Sequence, residues 1–175
     1  MLEYLIHQEL YNWLSSLQLE YNGQPVSLQI WRAKQTVKKT DYPCLFINYL
    51  DAIVDKTNTP LNEILKIELV DAGEYEDVKY NRGVILGQSI DLNLYDNDIQ
   101  RIAKLQNDLF LAAKKDLTLS NVTVFDILPP RMLDFTEEEF IYRRIIEVVC
   151  KYEMTWDEIV KTIESVEYSV DIESG

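Results

Sequence analysis

The sequence predicts an α/β (α+β) fold: a mixed, mostly antiparallel sheet with two long helices packed on one face, plus a C-terminal arm. Two amphipathic stretches have apolar residues at helical spacing, and several segments alternate apolar with polar residues at strand spacing. Only 5 Gly and 5 Pro occur in 175 residues, so regular elements dominate.

The first helix is expected where Leu2, Leu5, Ile6, Leu10, Trp13, Leu14 and Leu17 form one stripe, with Glu3, Gln8, Glu9 and Asn12 opposite. Tyr21-Asn22-Gly23-Gln24-Pro25 breaks it. Val26, Leu28 and Ile30 alternate with Ser27, Gln29 and Trp31 as a half-buried strand. Residues 33–41 are polar and predict a loop. From Pro43 the run Cys44 to Leu50 is continuously apolar, which suits a central strand covered on both faces.

Residues 51–60 predict a second loop, and Ile64 to Val70 a strand. Asp71 to Gly83 reads as an exposed hairpin tip or long loop, followed by a returning strand from Val84 to Leu94. Asp96 or Asn97 can cap the second helix, whose apolar face is Ile99, Ile102, Ala103, Leu109, Phe110 and Ala113. Lys114 and Lys115 suit the negative end of its dipole. Val122 to Leu128 is a strand that Pro129-Pro130 ends. Thr136 to Glu139 fits a capping box for a short helical turn.

The last long strand, from Phe140, alternates. Tyr142, Arg144, Ile146, Val148, Cys150, Tyr152 and Met154 share one face; Ile141, Arg143, Ile145, Glu147, Val149, Lys151 and Glu153 share the other. The expected organisation is one domain over residues 1–154 and an acidic arm or added strand over 155–175. In that arm Trp156, Ile159, Val160 and Ile163 suit a short helix. Val166, Tyr168, Val170 and Ile172 suit a strand needing a sheet edge in this subunit or a neighbour.

Composition narrows the function. The formal net charge of −13 repels phosphates, so non-specific nucleic-acid binding has no driving field. The local basic segment Arg32, Lys34, Lys38 and Lys39 reads as a solvated loop. No apolar run reaches the roughly 20 residues of a membrane helix. The first residues lack a basic and apolar leader pattern, which implies the compartment of synthesis. Cys44 and Cys150 fall in strands and read as small buried hydrophobes.

Catalytic templates find no support. His7, the only histidine, lies in the first helix with no nucleophile motif beside it. One histidine and two separated cysteines exclude a zinc or redox-metal site. Asp91, Asp96 and Asp98 lack the ligand order of a calcium loop. Asp77-Val78-Lys79 matches an acidic-x-Lys element of some metal nucleases, but no supporting strand end precedes it. No phosphate-binding glycine motif occurs. The expectation is no enzyme, no cofactor and no metal. The 11 tyrosines fit contact surfaces as well as core edges. Arg143 and Arg144 are adjacent on a strand and so point to opposite faces.

The layout resembles phage tail terminator and tail-completion proteins of the head–tail junction. An amphipathic helix and a strand lead into Tyr42-Pro43-Cys44-Leu45-Phe46-Ile47. A strand pair, Ile64–Val70 and Val84–Leu94, precedes a helix, Asp96–Lys115, and an Arg-containing strand, Tyr142–Met154, closes the match. The likeness covers most of residues 1–154.

The resemblance implies a structural virion protein, a ring (typically a hexamer) at the head-proximal end of the tail tube. It would end tube polymerisation and join the tail to the neck, after assembly in the host cytoplasm. Tail tube protein and a neck or head-completion protein are the implied partners, with DNA passing through the channel unbound. Tyr142, Arg143, Arg144, Val166, Tyr168 and Val170 are then interface candidates. Glu74, Glu76, Asp77, Glu137, Glu138 and Glu139 are candidate lumen-facing acids. The alternatives are another neck or connector component, or an acidic cytoplasmic adaptor that adds a strand to a partner.

Overall fold

A computed structural model describes residues 2–33, 41–54, 63–71, 76–136 and 141–160. It has the expected α+β architecture. Helix α1 is Leu2–Ser16 and α2 is Ile99–Asp116; the strands are β1 Leu19–Tyr21, β2 Gln24–Val26, β3 Gln29–Arg32, β4 Cys44–Tyr49, β5 Ile53–Val54, β6 Glu63–Asp71, β7 Glu76–Asp96, β8 Thr123–Ile127, β9 Arg131–Thr136 and β10 Ile141–Val160. The main sheet runs β3-β4-β7-β10-β8, with β5 and β6 also on β7 and β9 also on β10. β3 and β4 are parallel; β4, β5 and β6 are antiparallel to β7, as are β8 and β9 to β10.

The chain divides into two compact units. One comprises Met1–Val54 and Leu86–Tyr152, the other Asp55–Ile85 and Glu153–Gly175. The boundary expected between residues 154 and 155 falls inside β10.

In the first unit, both helices cover one face of the sheet. Ile6, Leu10 and Leu14 of α1 and Ile102, Leu105, Leu109 and Ala113 of α2 are buried with Leu45, Ile47, Ile90, Leu92, Leu94, Ile146 and Val148. The period-2 rule puts Leu45 and Ile47 opposite Leu94 and Leu92 in the β4–β7 register, so a single sheet face supplies this layer. The stripe of α2 differs from expectation. Leu105 replaces Ala103, which is exposed, and Ile99 at the helix start is 49% exposed.

Other elements depart from the sequence reading for identifiable reasons. Between α1 and β3 the chain makes a two-residue hairpin, β1–β2, rather than one strand from Val26. Asn22 (φ 52°) and Gly23 (φ 74°) supply the positive-φ pair that such a turn needs. Asp71 to Gly83 is no loop. β6 and β7 pair from Glu63↔Gly83 to Asp71↔Glu76, and residues 72–75 lie outside the described ones.

The cap of α2 is Asp98, whose carboxylate accepts from the Gln100 and Arg101 amides at 2.8 and 3.1 Å. Asp96, fully buried, is taken instead by the Arg101 fork at 2.7 and 2.6 Å. Beyond the two prolines the chain resumes as β9 against β10, and Thr136 ends that strand; the remainder of the expected capping box lies outside the described residues. Thr155 to Val160 continue β10 as strand, not helix.

Candidate functional site

The helix-covered face absorbs the apolar residues, so chemistry collects on the reverse face of the first unit. Alternation along β7 places Ser89, Asp91, Asn93 and Tyr95 there, and along β10 Arg143, Ile145 and Glu147. Their side chains form a connected polar belt. Arg143 donates to Asn93 Oδ1 through Nε (3.1 Å) and Nη2 (2.5 Å), and its guanidinium lies 5.5 Å from the Tyr95 ring centre. Tyr95 in turn meets Phe46 edge-on at 5.7 Å. Ser89 Oγ donates to Glu147 Oε1 at 2.7 Å, and Arg131, from β9, donates to Glu147 Oε2 at 2.9 Å.

Asp91 is the unbalanced member. It is 9% exposed, and its Oδ1 is buried without a hydrogen-bond donor; the nearest cation, Arg131 Nη2, stands 3.9 Å away. Burial first and the Glu147 charge second push its carboxyl above the usual carboxylate range, with Arg131 and Arg143 opposing. A buried, half-satisfied carboxylate costs stability and asks for an explanation. Beside the belt, Leu50, Ile53, Gly87, Ser89 and Val149 line a shallow, mostly apolar hollow of about 190 Å³. Ile53 on its rim is 73% exposed.

A second cluster joins α1 to β3 and β4. Arg32 pairs with Glu3 and lies over the Tyr49 ring at 5.5 Å, and His7 Nδ1 is 3.1 Å from the Tyr49 hydroxyl. Burial, with Arg32 adding, holds the His7 pKa below its ordinary value, and burial pushes the Tyr49 phenol up. A neutral imidazole hydrogen-bonded to an un-ionised phenol ties helix to sheet.

The expected site residues separate. Tyr142 packs against the core, Arg144 is buried at 8% exposure, and Arg143 anchors the belt. The two arginines do serve different surroundings, as adjacent strand positions must. Asp77 lies half-buried within the β6–β7 ladder opposite Val70, not at an exposed tip, and Glu76 opens β7. Glu74, Glu137, Glu138, Glu139, Val166, Tyr168 and Val170 lie outside the described residues. Sequence reasoning missed the belt. Asp91 and Asn93 were visible as the polar half of an alternating strand, but their burial depends on Arg131, Arg143 and Glu147, some 38 to 56 positions further along the sequence.

Among the described residues, no group of three or more His, Cys, Asp or Glu is placed to hold a metal ion. No described helix is long and apolar enough to cross a membrane. The arrangement sets fixed donors and acceptors beside an apolar hollow. Neither a family model nor a curated protein matches the sequence.

Proposed function

We propose that this chain is a structural virion protein that closes into a ring, typically of six, at the head-proximal end of a phage tail tube. The reading rests on the order of its elements. A leading amphipathic helix, the central strand after Tyr42-Pro43, the long β7, α2 and the arginine-bearing β10 follow the layout of tail terminator proteins. Packing both helices on one face supports it further, because the reverse face keeps a polar belt and an apolar hollow for a neighbour.

In a ring, one patch of each subunit meets a different patch on the next, and the rotation closes. Covering the last tube interface stops polymerisation and presents a new surface to the neck. A net charge of −13 suits a channel that must let a duplex pass without holding its phosphates.

The test is to add the protein to purified, polymerising tail tube protein and image the products. Tubes capped at one end, with growth arrested there, support the proposal. Tubes growing unchanged at saturating protein would reject it. Binding instead to an unrelated host protein through an added strand would favour the adaptor reading.

A further inference from the structure

Arg144 is a buried charge for which the described chain supplies no counter-charge. It stands on β10 between Tyr142 and Ile146, on the helix-covered face, and its backbone pairs with Met132 of β9. The residue is only 8% exposed. Each of the other described arginines has a partner. Arg32 has Glu3, Arg82 has Glu158, Arg101 has Asp96, Arg131 has Glu147, and Arg143 has Asn93 and the Tyr95 ring. Among the described residues, no carboxylate, hydrogen-bond acceptor or ring stands against Arg144.

That is an unusual place for an arginine. A guanidinium does not shed its proton in a protein, so burial cannot neutralise it. Withdrawing an ionised group from water is costly unless a counter-charge and hydrogen bonds replace the water. The chain carries 30 acidic residues, yet none of the described ones is placed there. The fork is still reachable. Among the described residues, the fully covered side-chain atoms without a partner are Trp31 Nε1 and Asp91 Oδ1, and no Arg144 nitrogen is among them. The stem is buried while the nitrogens keep contact with solvent.

We propose that Arg144 is a binding site for a carboxylate carried by another molecule. The planar fork offers parallel N–H donors to two coplanar oxygens, which is the geometry a carboxylate presents. One carboxylate also balances one guanidinium. Phosphate sites gather several donors around a group of higher charge, whereas Arg144 stands alone among the described residues. The field of a molecule of net charge −13 likewise opposes a multiply charged anion more than a singly charged one. Two sources share this chemistry: a free small carboxylate, and an Asp or Glu side chain of a second copy. The site does not depend on the ring reading.

The test follows the Arg144 Nε–Hε signal of the full chain by nitrogen-15 NMR, assigned with Arg144→Met. Potassium acetate, chloride or phosphate is added at matched ionic strength. Acetate should shift the signal saturably and raise the thermal midpoint by about 3–6 °C at ten times its dissociation constant. Arg144→Met should lose the midpoint rise, and chloride should give neither effect in the parent. If a second copy is the source, the signal should also move with protein concentration. Arg144→Met should then lose the self-association, and acetate should compete with it. An acetate-induced midpoint rise that persists in Arg144→Met is a general salt effect and overturns the proposal. So does phosphate binding as tightly as acetate, or a folded parent whose signal ignores both acetate and protein concentration. A signal that moves when Glu137, Glu138 and Glu139 are changed to Gln assigns the charge to the chain's own acids, and overturns it as well. Should Arg144→Met not fold, Arg144→Lys supplies the assignment and the parent's signal decides.

Discussion

Replacing Asp91 by asparagine should make the protein more stable, although it removes a charged residue from a polar network. The wild-type carboxylate is 9% exposed, its Oδ1 has no donor, and its nearest cation is 3.9 Å away and already bonded to Glu147. An unsatisfied buried polar atom costs about 1–3 kcal/mol. Asparagine is nearly isosteric, carries no charge, and brings two N–H donors next to the Glu147 carboxylate. Even if its own oxygen stays unsatisfied, relief of the charge should return about 1 kcal/mol, which for a chain of this length raises Tm by about 2–4 °C.

The pH dependence carries the sharper test. The Asp91 pKa is raised in the folded protein, so the native state holds its proton more firmly than the unfolded chain. Stability tied to this group is therefore gained as pH falls through the raised folded value, and is missing above it. The advantage of Asp91→Asn should be full at pH 7, shrink through the mildly acidic range, and disappear below the ordinary value of 3.8. Thermal melts of both proteins at pH 7, 5.5 and 4.5 measure it. A less stable variant at pH 7, or a difference that ignores pH, would refute the assignment of Asp91 as a strained buried acid.

Three further outcomes follow from the same geometry. Arg101→Ala leaves the fully buried Asp96 with only the Asp98 amide at 3.2 Å, and should cost about 3 kcal/mol in urea unfolding. A loss below 1 kcal/mol would mean that the fork contributes little. Asp98→Ala removes two capping bonds of α2 and should cost about 1 kcal/mol, with Asp98→Asn close to neutral. Burial pushes both the Cys44 and Cys150 thiols up to about 11, so an aromatic disulfide reagent at pH 8 should label neither until the protein unfolds. Rapid labelling of either in the native protein would contradict its placement in the core.

The fold was legible where one local period ran long enough to decide. The stripe Ile6, Leu10, Leu14 and the alternation Ile90, Leu92, Leu94 each define a face without outside help, and both end in the core. Short segments misled. Trp156, Ile159 and Val160 fit a helical spacing as well as an extended one, and a six-residue window cannot separate them. Asp157 and Glu158, reaching Lys79, Asn81 and Arg82, extend the strand through partners some 76 positions away. The Asn22-Gly23 pair, by contrast, is a local hairpin signal as well as a helix breaker, and the structure uses it as the hairpin turn.

Capping shows the same division between local and distant information. The sequence offers Asp96 or Asn97 as the cap; Asp96 is withdrawn because Arg101 claims it, and Asp98, which the sequence reading does not name, holds the helix amides. The belt on the reverse face depends wholly on distant pairings. Nothing near Asp91 in the sequence announces that Glu147 and Arg131 will stand beside it.

The ring is the claim on which the functional account turns, and light scattering across a concentration series, with negative-stain images of the largest species, tests it most directly. The account predicts a closed ring with an open central channel and a mass near six subunits. A particle that stays monomeric or dimeric at the highest concentration, and forms no ring when tail tube is supplied, would contradict it.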